Sequence, residues 1–430
     1  MSGLRIIGNN KGLKGEITVP GDKSISHRSI IISSISDGKS AIRNLLESED
    51  VQRTIEAFRN MGVSITKAED RYFVEGVGLY GLKKPDKVID CGNSGTTARL
   101  LCGVLAGQSF SSALIGDQSL SKRPMDRVII PLRNMGAKIE GRENKYLPIY
   151  ISPAENKLNS IDYELPVASA QVKSALLLAT LYAQGSTSII ENKVTRDHTE
   201  RMLEYFGCKI YKEGNVICMD SNYPPSGRDL YVPGDISSAS YFIVAATLIE
   251  GSVLTIKNVG INPTRTGIIS VLNSMGADIS ITNYKELNNE PIGDIHVRYS
   301  TLKGITIGGN TIGRLIDEIP VLAVAASLAQ GITVIRDAEE LRYKESNRIS
   351  TISSELRKMG ANIRELEDGL VIEGVKELKP SKLDSHSDHR IAMALSIAAL
   401  KAKGESFISG HECVSISYPD FYNTLYNLSY

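Results

Sequence analysis

Apolar and polar positions along the chain recur in a fixed order. Five amphipathic stretches end in a large apolar residue, then glycine, then a short strand-like run: FRNMGVSI, LRNMGAKI, LEYFGCKI, LNSMGADI and LRKMGANI. Their glycines are Gly62, Gly136, Gly207, Gly276 and Gly360. Glycine just past a helix takes a left-handed backbone cheaply, so each one predicts a helix end. Interleaved with these, helices that are apolar all round end at Gly38, Gly107, Gly185, Gly251, Gly331 and Gly404, each followed by a run such as QGSTSII or EGSVLTI. The pattern predicts six copies of one unit: apolar helix, strand, amphipathic helix, then two strands.

The sixth copy stops after PDFYNTLYNL, and its missing strands are expected from residues 1–20, where LRIIG and GEITVP read as strands. One lobe would then comprise residues 1–20 plus 231–430, and residues 21–230 would form an inserted second lobe. Two crossings, at Pro20 and near Pro233, would make a hinge, with PPSGRD as a linker. A chain of 430 residues is long for one core, which agrees with two lobes.

Charge narrows the function. The 49 basic and 49 acidic residues cancel, so no overall field steers the chain to nucleic acid or an anionic membrane. An anion site must be a local cluster. The five cysteines are odd in number and unpaired in spacing, as expected of reduced cytoplasmic thiols. MSGLRIIGNN lacks a signal-peptide core, and runs such as YFIVAATLI are too short to span a bilayer. A cytoplasmic protein with no membrane or nucleic-acid partner is expected.

Cations gather where the apolar helices begin. VPGDKSISHR sets Lys23 and Arg28 among Ser24, Ser26 and Ser29, whereas VPGDISSASY makes the same turn without charge. The turn therefore does not need the charges, and an anionic ligand would use them. CGNSGTTARLL offers Gly92 and Gly95 for close backbone approach, but it is not a Walker loop. SKRPMDR sets Lys122 and Arg123 before Pro124, which reads as a first helical residue. VASAQVKSA offers Ser169 and Gln171 at a helix start, with Lys173 expected to point outward; VTRDHTERM adds Thr195, Arg196 and His198. IGRLIDEIPVL carries Asp317 and Glu318 in apolar surroundings, which is costly unless they are paired or functional. LRYKESNRIS, with Arg342, Lys344, Glu345 and Arg348, reads by itself as a salt-bridged surface helix. His386 and His389 in SHSDHRIAM lack a third ligand at metal spacing, so no metal is expected. Lys23, Arg28, Arg123, Arg196, Lys344, Arg348 and Arg390 exceed what one phosphate needs. They imply two anionic ligands in a cleft between the lobes, with Asp317 and Glu345 available to move protons.

In order, VPGDKSISHR, GNSGTTARLL, LSKRPM, LRYKESNRI and SDHRIAM resemble the motifs of the 5-enolpyruvylshikimate-3-phosphate synthases, a family of enolpyruvyl transferases, over the whole chain. The resemblance implies an α/β, two-lobed, inside-out barrel-like fold, each lobe built from three repeated β-α-β-α-β-β units. It implies transfer of the enolpyruvyl group of phosphoenolpyruvate to the 5-hydroxyl of shikimate 3-phosphate by addition and elimination, with no cofactor. It gives Lys23, Ser24, Arg28, Ser169, Ala170, Gln171, Arg196, Asp317 and Lys344 to shikimate 3-phosphate. It gives Lys23, Asn93, Gly95, Arg123, Gln171, Arg348 and Arg390 to phosphoenolpyruvate, with Thr96 beside them. Asp317, Glu345 and Lys23 become the catalytic groups. Ala170 stands where some members have serine, Leu100 where some have proline, and Ile416 where some have lysine. The UDP-N-acetylglucosamine enolpyruvyl transferases share the repeats but use a cysteine on the loop that here reads GDQSLSKRP, without one.

Overall fold

The computed structural model describes residues 3–8 and 11–429, so the strands expected within 1–20 are read at 3–8 and 11–20. Contacts divide the chain into two units. The terminal unit takes Met1–Pro20, Pro233–Lys285 and Pro291–Tyr430; the inserted unit takes Gly21–Val232 and Glu286–Glu290. The short segment Glu286–Glu290 adds crossings beyond the two, at Pro20 and near Pro233, that the sequence predicts.

Each unit is centred on three helices that are buried on nearly every side, including the polar residues some of them carry. In the inserted unit they are Lys23–Ile35, Gly95–Leu105 and Ala170–Thr180. In the terminal unit they are Ile236–Leu248, Ile319–Ser327 and His389–Lys401. Separate aliphatic cores form around them, through Ile30, Leu101 and Leu176 in one and Val244, Leu322 and Leu395 in the other. Two buried serines in Lys23–Ile35 are satisfied locally: Ser29 donates to the Ile25 carbonyl at 2.8 Å and Ser34 to Ile30 at 2.6 Å. Among the described residues no helix is long and apolar enough to cross a membrane.

Glycines 62, 136, 207, 276 and 360 follow the amphipathic helices with φ between 85° and 100°. Gly107 is different. It is absent from the left-handed region, and a Cβ there would meet the Tyr182 ring at 2.1 Å, so close packing rather than backbone conformation demands glycine.

The sheets repeat one order. Ile89–Asp90 and Ser112–Ile115 pair parallel across a buried helix, and Tyr146–Ser152 and Lys138–Arg142 add antiparallel strands. The sheets built on Asp162–Glu164 with Ser186–Ile190, and on Thr306–Ile307 with Ile332–Ile335, repeat that order. Where the chain changes unit, the leading strands are exchanged. Lys14–Thr18 precedes helix Lys23–Ile35 but pairs with Val253–Gly260, and Leu230–Tyr231 precedes helix Ile236–Leu248 but pairs with Asp37–Arg43. The expectation that both early strands complete the sixth copy is corrected. Only Leu4–Ile7 does so, antiparallel to Glu405–Ser409. Gly12 directs the next strand elsewhere, because it touches the backbone of Gly251 so closely that a Cβ would lie 2.1 Å from the Gly251 carbonyl carbon.

Candidate active site

In the inserted unit, Asp22 caps helix Lys23–Ile35, accepting from the Ile25 amide at 2.9 Å. Lys23 begins the helix, and its Nζ donates to Asp50 Oδ2 at 3.0 Å. Arg28 lies one turn on, 4% exposed. It donates from Nη1 to the Ser24 carbonyl at 2.9 Å, from Nε to Thr199 Oγ1 at 2.6 Å and from Nη2 to Ser174 Oγ at 2.8 Å. Burial pulls the Arg28 pKa down to about 10. Glu200 and Asp22 only partly offset that, and Arg196 adds to the fall. A guanidinium so placed is stabilised by an incoming anion. His27 is held well below its usual pKa by burial, Lys23 and Arg28, so at neutral pH it is an uncharged link to Thr54, 2.7 Å away.

A second group forms at two adjoining helix starts, where unpaired amides favour negative charge. Ser94 caps helix Gly95–Leu105 and Ser169 caps helix Ala170–Thr180, and the two helices pack together. Gln171 bridges them, accepting from Arg99 Nη1 at 2.8 Å and donating to Thr96 Oγ1 at 3.0 Å. Arg123 donates to Asn93 Oδ1 at 2.8 Å, and Asn93 donates to Asp117 Oδ2 at 2.7 Å. Pro124 is not the first helical residue. The following helix is Asp126–Asn134, and Arg123 sits in extended backbone before it.

Lys173 overturns its expected orientation. It is fully buried, with Nζ 2.9 Å from Glu191 Oε1 and 2.6 Å from Glu200 Oε1. Burial works against its charge, but Glu200 and Glu191 more than compensate and its pKa is raised. Helix Ala170–Thr180 is a central helix with no outward face, so a lysine there must find carboxylates.

The terminal unit holds the other candidates around Asp317, which is 8% exposed. Its Oδ1 lies 3.5 Å from Lys344 Nζ and 3.4 Å from Arg348 Nη1, and its Oδ2 lies 3.8 Å from Arg390 Nη2. Arg390 also approaches Glu318 at 3.8 Å. The surface-helix reading of LRYKESNRIS fails, because Arg348 is 1% exposed. It donates to Glu345 Oε2 at 2.6 Å and to Asp388 Oδ2 at 2.8 Å. Burial disfavours its charge, yet Asp388 and Glu345 outweigh that and hold its pKa above the ordinary value. Lys344 lies before helix Arg348–Lys358 in extended backbone, and faces Asp317 from there.

The sequence-expected site residues divide between the units, ten in the inserted unit and five in the terminal one. The sequence reading missed the groups that orient them: Asp50, Arg99, Ser174, Thr199 and Asp388. The hydroxyls of KSA and DHTE next to assigned residues were the available signal. Among the described residues no trio of His, Cys, Asp or Glu is placed to hold a metal. Burial pushes the thiols of Cys102 and Cys208 up to about 12, which leaves them poor nucleophiles.

Known proteins resemble this chain along its length. The family model for EPSP synthase (3-phosphoshikimate 1-carboxyvinyltransferase) matches residues 7–425. A 3-phosphoshikimate 1-carboxyvinyltransferase of Thermoanaerobacter sp. (strain X514) is 56% identical over 412 residues, covering 96% of this chain and 97% of that protein. One from Streptococcus uberis is 50% identical over 419 residues, covering 97% and 98%. The solved EPSP synthase of Acinetobacter baumannii superposes with a TM-score of 0.89 at 45% identity, covering 99% of this chain and 98% of that one. The enolpyruvyl transferase NikO of Streptomyces tendae shares the mixed α/β fold, with a TM-score of 0.81 at 16% identity over 99% and 98% of the two chains.

Proposed function

This chain belongs to the EPSP synthase family, and from that premise we propose how its side chains divide the work of the reaction. The enzyme transfers the enolpyruvyl group of phosphoenolpyruvate to the 5-hydroxyl of shikimate 3-phosphate, in the shikimate pathway. The hydroxyl oxygen bonds to C2 of phosphoenolpyruvate while C3 gains a proton. The tetrahedral adduct then loses the C3 proton and the C2–O bond to phosphate, which leaves.

In this reading Arg28, Lys23, Ser24 and Arg196 take the phosphate of shikimate 3-phosphate, with Ser169, Ala170 and Gln171 along its ring. The observation that carries it is the Arg28 guanidinium. It is buried, and its three hydrogen-bond partners among the described residues are one carbonyl and two hydroxyls. Phosphoenolpyruvate is taken by Lys23, Asn93, Gly95, Arg123, Gln171, Arg348 and Arg390. Asp317 accepts the hydroxyl proton with Lys344 beside it, and Glu345 delivers the proton to C3. The cations stabilise the charge that builds on the adduct, so the scheme needs no cofactor. The same reading makes each unit three repeats of β-α-β-α-β-β and the enzyme a cytoplasmic monomer.

The test is phosphate release from phosphoenolpyruvate. Release is expected only with shikimate 3-phosphate present. Release with UDP-N-acetylglucosamine in its place would overturn the substrate assignment. Each substrate should also raise the melting temperature by mass action, and the two together more than either.

Gly95→Ala tests the pocket. A Cβ there would lie 2.7 Å from Arg99 Nη1 and 3.7 Å from Arg123 Nη1. Arg99 would have to move and would draw Gln171 with it. The KM for phosphoenolpyruvate is expected to rise about tenfold or more, with a smaller change for shikimate 3-phosphate. Equal rises in both would count against the assignment.

A further inference from the structure

The strands Asp278–Leu287 and Glu290–Arg298 form a hairpin of the terminal unit, yet its tip, Glu286–Glu290, clusters with the inserted unit. The turn residues Asn288 and Asn289 both have left-handed backbone, φ 45° and 62°. A two-residue turn of that kind gives a tight, defined tip, and asparagine tolerates it better than most residues. Both side chains are then used as hooks. Asn288 Oδ1 accepts from the Tyr231 amide and its Nδ2 donates to the Tyr231 carbonyl, each at 3.0 Å. Asn289 Nδ2 donates to the Arg201 carbonyl at 3.3 Å, and its own carbonyl accepts from Arg201 Nη1 at 2.8 Å. Glu290 Oε1 lies 2.7 Å from His198 Nδ1, and both residues are buried.

Arg201 and His198 belong to helix His198–Tyr205, and His198 is its first residue. The next residue, Thr199, is the one whose hydroxyl receives Arg28 Nε and lies 2.6 Å from Ser174 Oγ. Three residues of this helix, His198, Thr199 and Arg201, therefore connect the hairpin tip to the buried guanidinium. A helix of eight residues is only about two turns long. It has little rigidity of its own, so its first turn depends on what grips it.

We propose that the hairpin tip is a positioning element for the phosphate site: Glu290, through His198, sets the first turn of helix His198–Tyr205 so that Thr199 and Ser174 aim Arg28 at the phosphate of shikimate 3-phosphate. The proposal rests on the assignment of Arg28 to that phosphate. Glu290 touches no substrate in this scheme; it acts through the helix, and its charge also favours the Arg28 guanidinium. The tip is not seated by dense packing. A cavity of about 380 Å³ remains beside it, lined by Asp197, Glu200, Arg201, Glu204, Glu286 and Asn289 among others. Its hold is a few directed hydrogen bonds, which single substitutions can remove without emptying a core.

The experiment compares KM for the two substrates in full-length Glu290→Ala, Glu290→Gln, Asn288→Gly and Arg28→Lys. Glu290→Ala is expected to raise KM for shikimate 3-phosphate about tenfold, with KM for phosphoenolpyruvate within about twofold. Glu290→Gln keeps an acceptor for His198 and should restore most of the loss. Asn288→Gly keeps the left-handed backbone but removes both hooks on Tyr231. It should shift the same KM in the same direction, and it carries the test if Glu290→Ala does not fold. If Arg28→Lys leaves KM for shikimate 3-phosphate unchanged, the assignment of Arg28 is wrong. If Arg28→Lys raises it while the hairpin variants do not, the positioning role alone is overturned. Equal effects on both substrates, or no rescue by glutamine, would make the tip a general structural prop and would equally overturn the proposal.

Discussion

Asp317→Ala is expected to lower kcat by roughly two to four orders of magnitude and to leave the urea unfolding midpoint close to that of the parent. The loss follows from removing the group assigned to take the hydroxyl proton. The retained fold follows from the geometry around it. Arg348 keeps Asp388 at 2.8 Å and Glu345 at 2.6 Å when the Asp317 side chain is gone. Arg390 keeps the Asp317 backbone carbonyl at 3.3 Å, which alanine still supplies. No buried cation is left without an acceptor. Asp317→Asn preserves size but cannot accept the proton at neutral pH, so it should fall almost as far in kcat with a smaller change in KM. A kcat within about tenfold of the parent in either variant would remove Asp317 from the base role. Arg348 makes a poor comparison, because its substitution would strand the buried Asp388 as well as alter phosphoenolpyruvate binding.

Lys173→Met is expected to be the most destabilising single change described here, by about 3–5 kcal/mol. The lysine is fully buried between Glu191 and Glu200, which are themselves 3% and 7% exposed. Methionine fills the volume but leaves two carboxylates without a cation. Their pKa values in the folded variant would then rise above those of the unfolded chain. Groups raised on folding cost nothing once protonated, so the deficit should be largest at neutral pH and shrink as pH falls toward the carboxylate range. Adding Glu191→Gln and Glu200→Gln to Lys173→Met should recover much of the loss, since a neutral trio carries no uncompensated charge. Urea titrations at two pH values would show this. A Lys173→Met variant within about 1 kcal/mol of the parent at neutral pH would mean the carboxylates find other partners.

What the sequence disclosed depended on whether the physics was local. A helix end needing left-handed backbone is written as glycine at the spot, and Gly62, Gly136, Gly207, Gly276 and Gly360 were readable for that reason. Helices buried on all sides announce themselves by composition, as in Ile236–Leu248. Helix caps such as Asp22 and Ser169 lie within three residues of what they bind. The partners of the charged groups were not readable. Thr199 lies 171 positions from Arg28, Asp388 lies 40 from Arg348, and Glu290 lies 92 from His198. The burial of Lys173 was not legible from its charge, which favours solvent, although its neighbours in VKSALLLAT favour a core position. The exchange of leading strands was invisible too, since Lys14–Thr18 satisfies the strand pattern equally well beside either helix.

That exchange bears on how the polypeptide is made. Leu4 stands opposite Ile408, and Lys14 opposite Val253. At typical synthesis rates of about 5–20 residues per second, the earliest strand waits tens of seconds for its mate to leave the ribosome. Throughout that delay the inserted unit is the larger segment able to condense, while the leading strands trail as open edges. Their alternating Arg5, Lys14 and Glu16 discourage pairing with neighbouring nascent chains. Joining such distant segments is slow, so the last event in refolding from urea should be consolidation of the terminal unit.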